Sequence, residues 1–250
     1  VKYVSLVREG IVATVTIARG KVNALNEELV IELTETFGTL AADESVRAVI
    51  ITGQGKFFSF GLDVPEFMHY SRADFTRYVT RFAELYTDLF LFPKPVVAAL
   101  NGHTVGGGCL LAAACDVRLM VSGKAKTSLN EITIGSTVFV GGVEMLAYWV
   151  GRKNAQHVLF SGALFSAEEA QAIGLIDQVT SEADLPSEAA RVAADLVSRA
   201  PRAFASIKML LRKPVVDAFK PREGEAVEEF MDIWYSESTQ EQLKDILIRG

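Results

Sequence analysis

Cysteine and histidine are both scarce in this 250-residue chain, with two of the first and three of the second. Cys109 and Cys115 stand six residues apart in what reads as one helix, roughly 240° around it at 3.6 residues per turn, so they cannot pair locally. No metal-ligand spacing accompanies them, and no metal is expected. A reduced compartment follows, with the cytoplasm as the expected location and a mitochondrial or other organellar matrix as the alternative. Long apolar runs are missing too: none approaches the ~18 residues of a membrane span, and no signal-peptide pattern opens the chain. Because the sequence starts at Val1 without a methionine, a cleaved leader or trimmed terminus stays open. Basic residues are outnumbered, 25 Lys and Arg against 31 Asp and Glu, and they are scattered rather than massed in one stripe. That excludes a dominant nucleic-acid surface. Neither a G-x-G-x-x-G fingerprint nor a Gly-Lys-Ser/Thr phosphate loop is present, which disfavours phosphate cradling of those kinds.

What is abundant is apolar character, half of the residues, enough to bury a large core. Residues 1–20 hold two β-rich runs about a Glu9-Gly10 turn, with clear alternation over 11–17, and predict a hairpin. Asn26 is placed to cap a helix in which Leu29, Leu33, Phe37 and Leu40 share a face. The stretches "VRAVIITG" (46–53) and "PVVAALNG" (95–102) are short, continuously apolar strands, each ending in a glycine-containing turn and resuming as helix. This recurrence predicts an α/β fold of stacked β-β-α or β-α turns, with buried strands walled by helices. "DVRLMVSG" (116–123) adds a strand, and "IDQVT" (176–180) is the last one expected. From about Glu182 the pattern is helical, punctuated by Pro201, Pro214 and Pro221, which divides the chain into a core of 1–181 and a helical region of 182–250. Phe230, Trp234 and Tyr235 in that region either cover the core or pack on another subunit.

Chemistry concentrates after the strands. Gly106, Gly107 and Gly108 precede the apolar run "CLLAAAC", so a buried helix is expected to begin near Gly107, with free N–H groups that suit an oxyanion. Close helix-strand packing explains the same triplet equally well. Gly61-Leu62-Asp63, also just past a strand, offers a second backbone donor able to converge on one carbonyl oxygen. Glu131, flanked by Leu129, Ile132 and Ile134, has the apolar setting that raises a carboxyl pKa toward neutrality and suits reversible proton transfer. The competing reading is a solvated loop glutamate. His103 is expected to pack or to bond its loop rather than act as a base. Asp63 and Asp116 read as turn or cap residues, and Tyr148 and Trp149 as helix packing. Lys208 and Arg212, one helical turn apart, are expected on a solvated face, with phosphate contact as the alternative.

Taken in order, "KVNALN", "AVIITG", "FFSFGLD", "KPVVAALNGHTVGGG", "ACDVRLM", "SLNEITIG" and "SGALFSAEEAQAIGLIDQV" resemble the crotonase (enoyl-CoA hydratase/isomerase) superfamily over nearly the whole chain. The resemblance implies a spiral of β-β-α turns with a helical C-terminal trimerisation region, assembled as a homotrimer or a dimer of trimers. It implies an acyl-CoA thioester substrate, with coenzyme A entering as part of that substrate and no separate cofactor. Leu62 and Gly107 would supply the oxyanion-hole amides, and Lys21, Ala24, Phe60, Gly61, Asp63, Val64, Gly106 and Leu110 would border the substrate. Phe60 stands where the family usually has a small residue near the nucleotide part of coenzyme A. Hydratases of the family carry a glutamate directly after "GGGC" and another about twenty residues on. Here the first position is Leu110 and the second is Glu131. A single carboxylate resembles the Δ3,Δ2-enoyl-CoA isomerases, in which one acid moves a proton between C2 and C4, and Leu110 would keep the pocket dry. The alternatives are a hydratase or hydrolase using Glu131 with His103 or water, and a non-catalytic trimeric binding protein.

Overall fold

Alternation in Val12–Ile17 (β2) puts Ala13, Val15 and Ile17 in the core, and the strand pairs antiparallel with Val4–Glu9 (β1), Glu9 lying opposite Val12. The hairpin is as expected. The computed structural model describes residues 2–249. After β2 comes α1 (Glu27–Ala42), whose cap Asn26 accepts from Leu29 N–H at 3.0 Å. The chain then alternates between two sheets. β3 (Ala48–Gly53) enters a large sheet and β4 (Phe57–Ser59) a small one, followed by α2 (Val64–Phe67) and α3 (Arg72–Phe90). β5 (Val96–Leu100) and β6 (His103–Val105) repeat the step before α4 (Gly107–Ala113), and β7 (Val117–Val121) and β8 (Thr127–Ser128) repeat it again. A 3-10 turn (Glu131–Ile134), α5 (Val140–Ser161, kinked at Gly151), α6 (Ala167–Ala172) and β9 (Gln178–Thr180) complete this part. Four helices follow: α7 (Leu185–Val197), α8 (Pro201–Phe219), α9 (Glu223–Trp234) and α10 (Glu237–Arg249).

The large sheet runs β1-β2-β3-β5-β7-β9, parallel from β2 onward, and the small one β4-β6-β8, wholly parallel. Successive turns therefore stack as the spiral of β-β-α units that the sequence implied. Strands buried on both faces read as continuous apolar runs, and β5 is buried along its whole length. α7 packs across β3 and β5 and buries Leu185, Ala189 and Ala193. Among the described residues no helix is long and apolar enough to cross a membrane.

Of the two roles open to them, Phe230 and Trp234 take the first: they are buried against α3 within the same chain, Trp234 lying 4.7 Å from Phe75 between ring centroids. Lys208 and Arg212 are neither solvated nor free for phosphate: both are buried and hold Asp116, at 2.8 and 2.9 Å. Asp116 also accepts from Val96 N–H, so it is an ion-pair centre rather than a turn residue. Arg212 further donates to the carbonyls of Phe90, Ala114 and Cys115, where α3 and α4 run out of internal donors. The middle of α8 is consequently reversed, with Lys208 and Arg212 inside and Ile207, Leu210 and Leu211 outside, Leu210 being 74% exposed, while Val216 and Phe219 further along are buried in the ordinary way. Finally, Cys115 lies past the end of α4 rather than in one helix with Cys109. Both cysteines are free and buried, and burial pushes both thiols up to about 12.

Candidate active site

Two loop ends meet where β4 and β6 leave the small sheet. Asn23 holds a left-handed conformation (φ 51°) and anchors its loop to the approach of β4, its amide donating to Gln54 O at 3.1 Å and Phe57 O at 2.8 Å. Ser59 Oγ donates to Asn23 O at 2.7 Å and accepts from Gly61 N–H at 3.1 Å. Leu25 N–H then donates to Gly61 O at 2.7 Å. In a trans peptide C=O and N–H point to opposite sides, so tying Gly61 O to Leu25 turns Leu62 N–H away from that loop. No backbone acceptor among the described residues takes it up.

Glycine is needed here because the two loops touch backbone to backbone. Gly61 has φ +89°, and a Cβ on it would fall 2.8 Å from Gly107 N and 2.9 Å from Val105 O. A Cβ on Gly108 would fall 2.4 Å from Ser59 O. The packing and donor readings of the triplet thus coexist: the glycines permit the contact, and the contact brings Leu62 beside Gly107, the first residue of α4, whose N–H has no helical partner.

Glu131 opens the 3-10 turn after β8. The turn is closed by Ser136 N–H donating to Glu131 O at 3.1 Å, and by Gly135 in a left-handed conformation. The carboxylate leans over the triplet, Oε1 lying 3.4 Å from where a Gly106 Cβ would be. Its Oε2 is shielded and has no hydrogen-bond partner. Burial with no compensating cation lifts its pKa from 4.5 to about 7.

These groups share one cavity of about 600 Å³. Lys21, Ala24, Phe60, Asp63 and Val64 line it together with Leu62, Gly106, Gly107 and Glu131. Phe60 is 52% exposed at this lining and packs edge-on against Phe57, ring centroids 5.8 Å apart. Asp63 caps α2 by accepting from Glu66 N–H and pairs with Arg19 at 2.6 Å. Two expectations need correction. Gly61 is a spacer behind the wall rather than a lining residue, and Leu110, only 1% exposed, lies outside the lining. Its methyls would lie 3.2 and 3.3 Å from a Cβ on Gly142, because an apolar side chain at that point of α4 gains more by burial against α5 than by facing the cavity. His103 is also outside the lining, its ring 5.1 Å from that of Phe57. Sequence reading missed Arg19 as a lining residue and did not connect Phe230 and Trp234 to the cavity, whereas Ser136 and Phe139 fall in the segment 136–146 that the family resemblance puts at the acyl end.

The model of the enoyl-CoA hydratase/isomerase family matches residues 8–244. The chain belongs to this family, the crotonase superfamily. Among curated relatives, the short-chain-enoyl-CoA hydratase of Clostridium acetobutylicum is 35% identical over 212 residues, covering 84% of this chain and 81% of its own. A probable enoyl-CoA hydratase of Bacillus subtilis is 31% identical over 246 residues, 98% of this chain and 95% of its own. Among solved structures, human mitochondrial delta3-delta2-enoyl-CoA isomerase superposes with a TM-score of 0.95 at 28% identity, over 99% of this chain and 98% of that one.

Proposed function

We propose that the chain is an enoyl-CoA isomerase that moves a C3 double bond to C2 of an acyl-CoA. The observation that carries this is the solitary Glu131. The other lining carboxylate, Asp63, is held by Arg19 and by its helix cap, while Leu110, where a hydratase would place its first glutamate, is apolar and buried. The thioester oxygen would accept from Leu62 N–H and Gly107 N–H. Glu131 would take a proton from C2, the electron pair passing into the thioester as a dienolate, and would return that proton to C4 as the double bond settles between C2 and C3. Donors fixed before reaction stabilise the enolate oxygen without reorganising, and a carboxyl near neutrality can both accept and return a proton. Lys21, exposed at the rim and in no ion pair among the described residues, is available to the phosphates of coenzyme A.

Hydration of a 2-enoyl-CoA is the second reading, favoured by the names of the curated relatives. It requires a second group to hold water, and the lining offers no free carboxylate besides Glu131 among the described residues. Incubation with a 3-enoyl-CoA and, separately, with a 2-enoyl-CoA, positional isomers being resolved by chromatography, distinguishes the two: a 2-enoyl-CoA formed from the first supports isomerisation, and a product heavier by one water formed from the second supports hydration. Free acid would instead point to a hydrolase, and binding without turnover to a silent binding protein. A homotrimer or dimer of trimers is proposed as the assembly. The apolar side chains exposed on α8, together with Phe160, Leu164 and Ile132, support it as surface that association would cover.

A further inference from the structure

Building on the reading of Glu131 as the proton carrier, we propose that Thr239, in the last helix, is a positioning residue for it, acting through the carbonyl of Gly135. The 3-10 turn that bears Glu131 is weakly anchored by its own residues. None of Glu131–Ile134 is buried as a whole. The backbone bonds of residues 130–136 close within the segment, Thr133 N–H donating to Asn130 O, Gly135 N–H to Ile132 O and Ser136 N–H to Glu131 O. Among the described residues a single hydrogen bond ties this segment to another part of the chain: Thr239 Oγ1 donates to Gly135 O at 2.6 Å, across 104 positions of sequence.

Of the two partners, α10 is the firmer. Thr239 is 1% exposed, and Leu243, one turn further on, is fully buried. Gln240 Nε2 donates to Trp234 O at 2.7 Å and holds the start of the helix to the end of α9. The Thr239 hydroxyl accepts from Ser236 Oγ at 3.1 Å, which leaves its own proton for Gly135 O. Gly135, at φ +69°, lies flush against the helix, where a Cβ on it would fall 2.9 Å from Gln242 Nε2. Disturbing this contact therefore moves the turn, which has little buried of its own, rather than the helix. Two consequences follow for Glu131: its carboxylate shifts relative to the Leu62 and Gly107 amides, and water reaches a carboxyl whose protonation is set by burial rather than by a neighbouring charge.

The test is the pH-rate profile of Thr239 variants of the full chain on a 3-enoyl-CoA. Thr239→Val puts a methyl where the hydroxyl was, and because carbon and oxygen rest about 3.3–3.6 Å apart, the turn must withdraw by about 1 Å. Turnover should fall about 100-fold in kcat, with KM changed less than about twofold. The apparent pKa in kcat/KM should drop below 7 toward the ordinary 4.5, a shift that mere loss of folded protein does not produce. Thr239→Ser keeps the hydroxyl and should restore both values. Thr239→Ala removes the hydroxyl without the intruding methyl, and carries the same prediction at about tenfold in kcat if the valine variant does not fold. Parental kcat and pKa in the variants without the hydroxyl, or lost activity with the pKa unmoved and Thr239→Ser equally impaired, overturns the proposal while leaving Glu131 as the base. Undiminished conversion in Glu131→Gln removes the base itself, and this proposal with it.

Discussion

Glu131 is the residue whose environment has the clearest consequences. Its carboxyl holds its proton up to about pH 7 in the folded protein, because burial penalises the charge. A base must be ionised in the free enzyme to act. On that footing kcat/KM should rise about tenfold per pH unit below 7 and flatten above it, which a pH-rate profile measures. The same shift bears on stability with the opposite preference. Between the unfolded value near 4.5 and the folded value of about 7, the native state binds more protons than the unfolded state, so stability falls as pH rises through that window. The full shift corresponds to about 3 kcal/mol, developed above pH 7. Glu131→Gln removes the penalty. Denaturant titration should find the variant more stable than the parent at pH 8 and nearly equal to it at pH 4, while turnover is lost. Equal stabilities at pH 8 would mean that the carboxylate is better solvated than its surroundings imply.

At the scale of elements, the donor site depends on how closely α4 approaches the end of β4. Gly108→Ala places a methyl 2.4 Å from Ser59 O, so α4 must move outward. Misplacement on the order of 1 Å costs about 100-fold in rate, so kcat should fall by about that much while the fold persists by circular dichroism. The far end of α4 is held by Arg212, itself tied to Asp116 with Lys208. Burial lowers the pKa of Lys208 to about 8 against the attraction of Asp116. Asp116→Ala strands two buried cations, which typically costs about 3–5 kcal/mol. Chemical denaturation should show that loss, and a change below about 1 kcal/mol would mean that the cations find other partners.

Across the whole molecule, what could be read from sequence was what neighbours in sequence decide. The hairpin, the Asn26 cap, the buried strands and the glycine turn into α4 all depend on residues within a few positions, and all stand as read. Lys208, Arg212, Phe230 and Trp234 depend on partners far along the chain: Asp116 is 92 positions from Lys208, and Phe75 lies in a helix that precedes α9 by more than half the sequence. Spacing within α8 suggested a solvated charged face because it cannot report that carbonyls at the ends of α3 and α4 need donors from elsewhere. Leu110 shows the same limit at the site, where its identity was informative and its direction was decided by α5.

The central claim, one carboxylate over a pair of backbone donors moving a double bond, is tested most directly by following a 3-enoyl-CoA in deuterated water with mass and position analysis. The account predicts a 2-enoyl-CoA, with little addition of water and with loss of conversion in Glu131→Gln. Recovery of the 3-enoyl-CoA unchanged, or conversion undiminished in Glu131→Gln, would contradict it.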